Sequence, residues 1–277
     1  MQYLLKILSV AFRAGLVVIF LLAGGGLIDH IRAMDDTPPH DMVEIENGRR
    51  LHALCEGPGS APLVLYDAGA FGIYADGWWV KEALKDDFRV CLYDRAGMGW
   101  SDPAPAGANP TIRFHVDDMR ALADALDAKP PFYLVGHSMA GIRLHAFTNL
   151  YPDDVAGLVF VDAAAPHRLN NANGERLIKA FARIMTVGVY AAQTGIARAF
   201  ARFAPDELKL PATPRKAKTQ SIASVRHHKA AREEVRAAPA DIDLFGTVEA
   251  ENKPVAVFNA TPRVSGNADV AEAALKN

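Results

Sequence analysis

The stretch FYLVGHSMAG, residues 132–141, decides the fold that this sequence predicts. Four apolar residues run into Gly136, and Ser138 follows at the point where such a strand would turn into a helix. Small residues at 136 and 140 permit a turn so tight that larger side chains would collide with the strand or with the helix. Alanine stands at 140, where glycine is usual, but it is small enough, and Gly141 comes next. The stretch therefore predicts a buried strand, a turn that lifts the Ser138 hydroxyl clear of the backbone, and an amphipathic helix.

Short apolar runs and helical patterns alternate along the rest of the chain. Residues 42–46 and 50–55 flank Asn47-Gly48, which is typical of a β-hairpin. We predict further strands at 62–66, 89–93, 132–135, 157–161 and 254–258, and helices at 79–85, at 112–128 and after Ser138. Because buried parallel strands have short, nearly continuous apolar sequences, this order indicates an α/β fold with a mostly parallel sheet flanked by helices.

Residues 166–245 interrupt the alternation. They are rich in alanine, arginine and aromatic residues at helical spacing, and they contain no convincing strand. The segment follows the end of a strand, which is where ligands bind in open α/β sheets. We therefore predict an α/β domain over 40–277 with an inserted helical cap over about 166–245. The alternative is a run of ordinary packing helices.

The first thirty residues form a separate apolar segment. Residues 14–28 carry no charge, and one membrane-spanning helix of about 20 residues would include Arg13 near its start. Basic residues precede the apolar core and acidic residues follow it, namely Lys6, Arg13, Asp29, Asp35 and Asp36. The positive-inside rule then predicts a single-pass protein whose main domain faces the extracytoplasmic side. The alternative is a cleaved signal peptide, for which residues 23–26 offer a fair cleavage site.

Composition narrows the functional classes. Half of the 277 residues are apolar, which is enough for a large core. A formal net charge of -2 provides no basic surface for nucleic acid, so we expect a small-molecule substrate. The two cysteines have no spacing that suits zinc, and no phosphate loop or dinucleotide motif is present. We therefore expect neither a metal nor a cofactor.

A nucleophilic serine needs N–H donors for the oxyanion that forms when it attacks. Around such a strand-turn-helix motif, one donor is the residue after the serine, and another comes just after the third strand. Met139 and Ala70 occupy these positions. Ala70 lies in DAGAFG, residues 67–72, where small residues allow the backbone to turn an N–H inward. A plain glycine-rich turn is the alternative.

These motifs resemble the α/β-hydrolase superfamily over about residues 43–262. The sequence YDRAGMGWSD, residues 93–102, is similar to the family's Asp-x-Arg-Gly-x-Gly-x-Ser turn after the fourth strand. The resemblance is strongest to a bacterial membrane-anchored group that has an N-terminal apolar helix, a Tyr-Asp-Arg-Ala-Gly turn and a Leu-His-x-x-Cys-x-Gly strand end, here Leu51, His52, Cys55 and Gly57. It implies serine hydrolase chemistry and favours the anchor over the signal peptide.

The resemblance also bears on the two cysteines. Family topology places the second strand antiparallel beside the fourth, which would bring Cys55 close to Cys91. A disulfide bond is plausible in an oxidising compartment. Two buried thiols that act as small apolar residues are the alternative.

The family's catalytic histidine comes after the last strand, in the order serine, acid, histidine. Residues 259–277 contain no histidine, and the usual acid position after 258 carries no carboxylate, so we expect that the sequence stops short of this region. Asp162, at the end of the sixth strand, is the predicted acid, with a structural cap as the alternative. His167 is the predicted base, and His227 and His228 in the cap are the other candidates.

Three hypotheses about function remain open. The first is a serine hydrolase of small ester or related acyl substrates, which forms an acyl-enzyme on Ser138 and is truncated before its histidine. The second is a catalytically inactive, membrane-tethered binding protein with the same fold. The third is an active enzyme with a relocated base, for which His167 is the candidate. Aspartate at the nucleophile position would indicate a dehalogenase, and Ser138 argues against that reaction.

Overall fold

The computed structural model describes residues 2–34, 37–166, 171–241 and 253–259. The strands are β1 (Asp41–Glu44), β2 (Arg50–Glu56), β3 (Leu63–Asp67), β4 (Arg89–Tyr93), β5 (Phe132–His137), β6 (Val155–Val161) and β7 (Val255–Phe258). They form one sheet in the order β1-β2-β4-β3-β5-β6-β7. The β1–β2 and β2–β4 pairs are antiparallel, and the other pairs are parallel. The predicted hairpin and the mostly parallel α/β sheet are confirmed.

The helices are α1 (Gln2–Met34), α2 (Trp78–Leu84), α3 (Ile112–Ala125), α4 (Ala140–Leu150), α5 (Ala172–Gln193), α6 (Ile196–Ala201), α7 (Ala212–Ala223) and α8 (Val225–Ala237). Helices α5 to α8 lie between β6 and β7 in the chain, and the described part of that interval contains no strand. Below, "cap helices" means α5 to α8.

Alternate side chains of the inner strands fill two separate cores. Leu65 of β3 packs in a cluster that also contains Val116 of α3 and Phe147 of α4. Its neighbour Tyr66 packs in a second cluster on the opposite face, together with Ala217 of α7. Because helices cover both faces, every residue of β3 is buried, as parallel strands of this class require.

Helix α3 ends earlier than its apolar periodicity predicted. Thr111 caps its start by accepting a hydrogen bond from the Phe114 N–H at 3.3 Å. The helix stops at Ala125 rather than at residue 128, because the backbone of Asp127 has a positive φ of 54° and cannot continue it.

Helix α4 is buried on nearly all sides, so the expected amphipathic helix is wrong. Eight of its eleven residues are buried, including Arg143. The reason is its central position: it packs between the sheet and α3, while Gly141 lies against Ala163 and Ala164 after β6. No face of α4 is left for solvent along most of its length.

The two cysteines are joined. Cys55 of β2 and Cys91 of β4 are paired directly across the antiparallel ladder, and their sulfur atoms form a disulfide bond. The adjacency that family topology implied is confirmed, and the two cysteines are bonded rather than present as two buried thiols.

Helix α1 is exposed and strongly apolar. Its segment Gln2–Phe20 is long and apolar enough to cross a membrane, and no other helix in the described ranges meets that criterion. A membrane span and a signal sequence share these properties.

Candidate active site

Ser138 lies in a sharp turn between the end of β5 and the start of α4. Its φ is 52°, in the left-handed region that non-glycine residues rarely adopt. Its N–H donates to the Val161 carbonyl at 3.2 Å, and its own carbonyl accepts from Gly141 at 3.0 Å and from Ala164 at 2.8 Å. The side chain is half-buried. The end of β6 and the first turn of α4 therefore hold the serine backbone in its unusual conformation.

The loop after β3 packs directly against this turn. A Cβ added to Gly69 would lie 3.0 Å from the Ser138 Cβ and 3.2 Å from His137 Nδ1. Only glycine permits such a close approach. Ala70, the next residue, is thereby held beside the Ser138 turn.

The predicted oxyanion donors have N–H groups without acceptors. Neither the Ala70 N–H nor the Met139 N–H donates a hydrogen bond to any residue that the structure describes. Two N–H groups beside a serine that have no acceptor among the described residues are candidates to bind an oxygen atom from outside the chain.

Asp162 lies at the same edge of the sheet as Ser138. It follows Val161, whose carbonyl accepts the Ser138 N–H. Asp162 has a positive φ of 43°, and its side chain is exposed. Its N–H donates to the Phe258 carbonyl at 2.6 Å. The predicted base, His167, lies outside the described residues.

His227 bridges α8 to two loops of the sheet domain. Its Nδ1 accepts the Gly99 N–H at 3.2 Å, and its Nε2 donates to the Phe71 carbonyl at 3.1 Å. Burial lowers the pKa of His227 to about 3. Because both ring nitrogens are engaged and the ring stays neutral, His227 is placed as a structural link rather than as a base for Ser138.

His228 is also turned towards the protein. Its Nε2 donates to the Ile222 carbonyl at 2.9 Å, and its ring packs against Phe71 with centroids 4.6 Å apart. Burial lowers the pKa of His228. Neither cap histidine hydrogen-bonds with Ser138 Oγ in the ranges described.

Sequence reasoning missed a ring of four buried charges beneath the loop after β3. Arg95 contacts Asp67 at 3.1 Å (Nη1 to Oδ1) and Glu234 at 3.0 Å (Nε to Oε2). Arg143 contacts the same two carboxylates, Asp67 at 2.5 Å through Nε and Glu234 at 2.6 Å through Nη1. Each carboxylate thus bridges both guanidinium groups, and all four side chains are at most 4% exposed.

The two arginines also bind main-chain oxygens of the loop. Arg95 donates to the Ala68 carbonyl and to the Gly69 carbonyl, both at 2.7 Å. Arg143 donates to the Ala68 carbonyl at 2.7 Å. The sequence signals for this ring were Arg95 in the motif at 93–102 and Arg143, a lone charge in the apolar start of α4. Its partner Glu234 lies 91 residues away in the chain, and no local pattern connects them.

The pKa shifts of Glu234 and Arg95 both favour the charged forms of these two side chains. Burial by itself would raise the pKa of Glu234, but Arg95 and Arg143 outweigh it and lower that pKa to about 2. For Arg95, burial opposes the charged form, while Glu234 and Asp67 more than compensate and raise its pKa. Buried ions of opposite charge that satisfy each other in this way are the arrangement in which buried charges are tolerated.

A second buried pair fixes the loop after β4. Asp94 contacts His52 Nδ1 at 2.8 Å through Oδ2 and accepts the Tyr74 N–H at 2.7 Å through Oδ1. The motif at 93–102 thus acts through Asp94 as a structural anchor between β2 and the segment after β3. Among the described residues, no group of three or more histidine, cysteine, aspartate or glutamate side chains is arranged to hold a metal ion.

The chain is similar to proteins of one superfamily. Residues 61–185 match the family model described as the alpha/beta hydrolase fold. An epoxide hydrolase from Vigna radiata superposes with a TM-score of 0.61 at 18% identity, covering 79% of each chain. Together with the sheet order and the turn at Ser138, these findings show that the chain has the α/β-hydrolase fold.

Two curated relatives match shorter segments. A cis-3-alkyl-4-alkyloxetan-2-one decarboxylase from Shewanella oneidensis is 30% identical over 122 residues, which is 44% of this chain and 38% of that protein. A serine hydrolase-like protein from Danio rerio is 37% identical over 79 residues, 28% of this chain and 24% of that protein. The chain spans less than half of the length of either relative. The chain is therefore similar to hydrolase-type enzymes with this fold.

Proposed function

We propose that this chain is a serine hydrolase that acts on small ester or related acyl substrates. The observation that carries the proposal is the turn at Ser138, where a half-buried serine with a φ of 52° lies between a buried strand and a helix. Strain of this kind persists where the surrounding structure fixes it, and it is common at reactive residues.

In the proposed reaction, Ser138 Oγ attacks the acyl carbonyl carbon while a base removes the hydroxyl proton. The carbonyl oxygen becomes an oxyanion and accepts hydrogen bonds from the N–H groups of Ala70 and Met139. The C–O bond to the alcohol then breaks, and the alcohol leaves with the proton. Water attacks the acyl-enzyme by the same route, which releases the acid and restores Ser138.

We assign the acid to Asp162 and the base to His167. Asp162 is supported by its place one residue after Val161, which is hydrogen-bonded to the Ser138 backbone. His167 is supported by its position five residues further along, after the same strand. A base between Asp162 and Ser138 would be oriented by the carboxylate, as in other serine hydrolases.

We also propose that one domain spans residues 40–277 and that a helical cap is inserted in it over about residues 166–245. The cap helices are proposed to cover the site. Support comes from α8, which touches the loop after β3 through His227. We further propose that α1 anchors the protein as a single span and that the enzyme domain faces the extracytoplasmic side. The Cys55–Cys91 disulfide is in keeping with an oxidising compartment.

The test is labelling and turnover by the same preparation. A fluorophosphonate probe should label Ser138, identified by mass spectrometry of the digested protein, and p-nitrophenyl acetate should be hydrolysed. Ser138→Ala should abolish both. The control Ser60→Ala removes an exposed serine hydroxyl from the turn between β2 and β3, and it should keep the labelling.

The two assays separate the alternatives. If the folded protein shows neither labelling nor turnover, the proposal is refuted and a binding protein with the same fold is favoured. If Ser138 is labelled, His167→Ala should reduce turnover by about 100-fold or more, since general-base catalysis contributes on this scale. Unchanged turnover in that variant would remove His167 from the mechanism.

A further inference from the structure

The buried ring of Asp67, Arg95, Arg143 and Glu234 joins four parts of the molecule that meet at the proposed site. Asp67 ends β3, Arg95 follows β4, Arg143 lies in α4 behind Ser138, and Glu234 is in the cap helix α8. Two positive and two negative charges cancel within the ring. Apolar side chains could fill this volume without the desolvation cost of burying four charges. The role of the ring therefore lies in the backbone positions that it holds.

The first fixed position is the peptide between Gly69 and Ala70. Arg95 Nη2 holds the Gly69 carbonyl at 2.7 Å. In a planar trans peptide the C=O and the following N–H point in opposite directions. The Ala70 N–H is therefore directed away from Arg95. Rotation of this peptide would break the contact with Arg95 and move the N–H together with the carbonyl.

The second fixed position is the preceding peptide. The Ala68 carbonyl accepts from Arg95 Nη1 and from Arg143 Nη2, both at 2.7 Å. Arg143 lies five residues after Ser138, in the helix that the serine turn begins. The same side chain therefore ties the loop after β3 to the helix that positions the nucleophile, and it sets the distance between the two oxyanion donors.

The third observation is that α8 supports both ends of this loop. Glu234 holds the two guanidinium groups that hold the carbonyls of Ala68 and Gly69. Seven residues earlier, His227 donates to the Phe71 carbonyl. Seven residues correspond to about two helical turns, so both side chains project from the same face of α8.

We propose that Arg95 and Glu234 are positioning residues that hold the Ala70 N–H in oxyanion-binding geometry, and that the cap helix α8 thereby controls whether the site is competent. The inference rests on the proposed serine hydrolase function. It adds that the cap does more than cover the substrate: when α8 is displaced, the two guanidinium groups lose Glu234, and the loop after β3 is free to rotate its peptides.

The test compares two carboxylate-to-amide variants. Glu234→Gln keeps the shape of the side chain and removes its charge. Asp118→Asn makes the same chemical change in another partly buried ion pair, with Arg49, which touches no residue of the loop after β3. Both proteins are purified full length, and their folding is checked by circular dichroism and thermal unfolding.

With p-nitrophenyl acetate, Glu234→Gln should lower kcat by about 10- to 100-fold with KM within about 2-fold, because a misplaced oxyanion donor weakens the transition state rather than substrate binding. Asp118→Asn should leave kcat within about 2-fold. A folded Glu234→Gln protein whose kcat matches that of Asp118→Asn would overturn the inference.

Arg95→Lys provides the second variant if Glu234→Gln does not fold. Lysine keeps the positive charge between Asp67 and Glu234, but a single ammonium cannot hold both carbonyls in the fork geometry of arginine. The same loss of kcat at constant KM is expected. An unchanged kcat in folded Arg95→Lys would equally refute the role.

Hydrogen exchange separates this inference from the proposed function. Relative to wild type, Glu234→Gln should accelerate deuterium uptake in peptides that cover residues 68–72, whereas Asp118→Asn should not. If wild type lacks turnover that depends on Ser138, the proposed function fails. If turnover is present but neither kcat nor exchange responds to Glu234→Gln, the inference alone fails.

Discussion

At the scale of single residues, the candidate site depends on close approaches that leave no room for larger side chains. Gly69 passes beside the Cβ of Ser138, and Gly136 lies under Leu144 and Ala140 of the following helix. Ser138 itself adopts a positive φ. Small residues around the serine thus allow two loops and a helix to converge within a few ångströms.

Gly69→Ala tests this convergence. The new methyl group would lie 3.0 Å from the Ser138 Cβ and 3.2 Å from His137 Nδ1, so the backbone has to move. We expect a loss of about 1–3 kcal/mol in the free energy of unfolding, as for other overpacked sites, and a lower rate of fluorophosphonate labelling. Thermal unfolding and the labelling rate measure the two effects.

Gly59→Ala is the matched control for that variant. A Cβ at residue 59 would meet no atom within 4 Å, so this substitution should leave labelling unchanged and alter stability by less than about 1 kcal/mol. Equal behaviour of the two alanine variants would show that the space beside Ser138 is not restricted.

At the scale of secondary-structure elements, α8 is the helix that links the cap to the sheet domain. Ser224 caps its start by accepting the His227 N–H. The helix places His227 against the carbonyl of Phe71 and the N–H of Gly99, and Glu234 against two arginines. The loops after β3 and β4 are therefore both held by the same helix, α8.

The pH dependence of the free energy of unfolding should report the burial of His227 between α8 and the two loops. The ordinary pKa of histidine is 6.5, and burial lowers that of His227 to about 3. Below about pH 6.5 the unfolded chain takes up a proton that the folded state does not, so stability falls as the pH falls. Between pH 7.5 and pH 5.0 the loss is about 2 kcal/mol for this one residue.

His227→Gln should remove that contribution. Urea unfolding at pH 7.5 and at pH 5.0 should show a smaller difference in the variant than in wild type. Burial also lowers the pKa of His115, to about 4, so His115 adds a loss of the same sign to both proteins and cancels in the comparison. The same pH dependence in the variant and in wild type would contradict the link that we describe.

At the scale of the whole molecule, the parallel sheet gathers the site at one edge. Asp67, Arg95, Ser138 and Asp162 each lie at or just beyond the carboxyl end of a strand, and these ends meet because the strands run in the same direction. The other distinctive part of the molecule is α1, whose segment Gln2–Phe20 exposes its apolar side chains; Ile19, for example, is 63% exposed. A bilayer would cover that surface.

Membrane attachment through α1 can be tested on the full-length chain. Wild-type protein expressed in bacteria should remain in the membrane pellet after alkaline carbonate extraction. Leu16→Asp combined with Phe20→Asp should release it, because each buried aspartate costs about 3 kcal/mol on insertion scales. Release of wild type to the same extent as the double variant would show that α1 does not anchor the protein.

The sequence by itself determined the sheet, the turn at Ser138 and the neighbourhood of Ala70 and Met139. These features have local causes: short apolar runs define buried strands, and small residues at 136 and 140 define the turn. The placement of β2 antiparallel beside β4 followed from resemblance to the superfamily. Its consequence, the pairing of Cys55 with Cys91, could be anticipated but not decided.

Only the tertiary structure decided the charge ring, the role of His227 and the burial of α4. The contact of Arg95 with Glu234 joins residues 139 positions apart, and that of His227 with Phe71 joins residues 156 apart. An arginine or histidine in a sequence does not reveal which carboxylate or carbonyl will meet it. The physical reason is that these interactions depend on how the cap helices pack across the sheet, whereas strands and tight turns are specified by the residues within them.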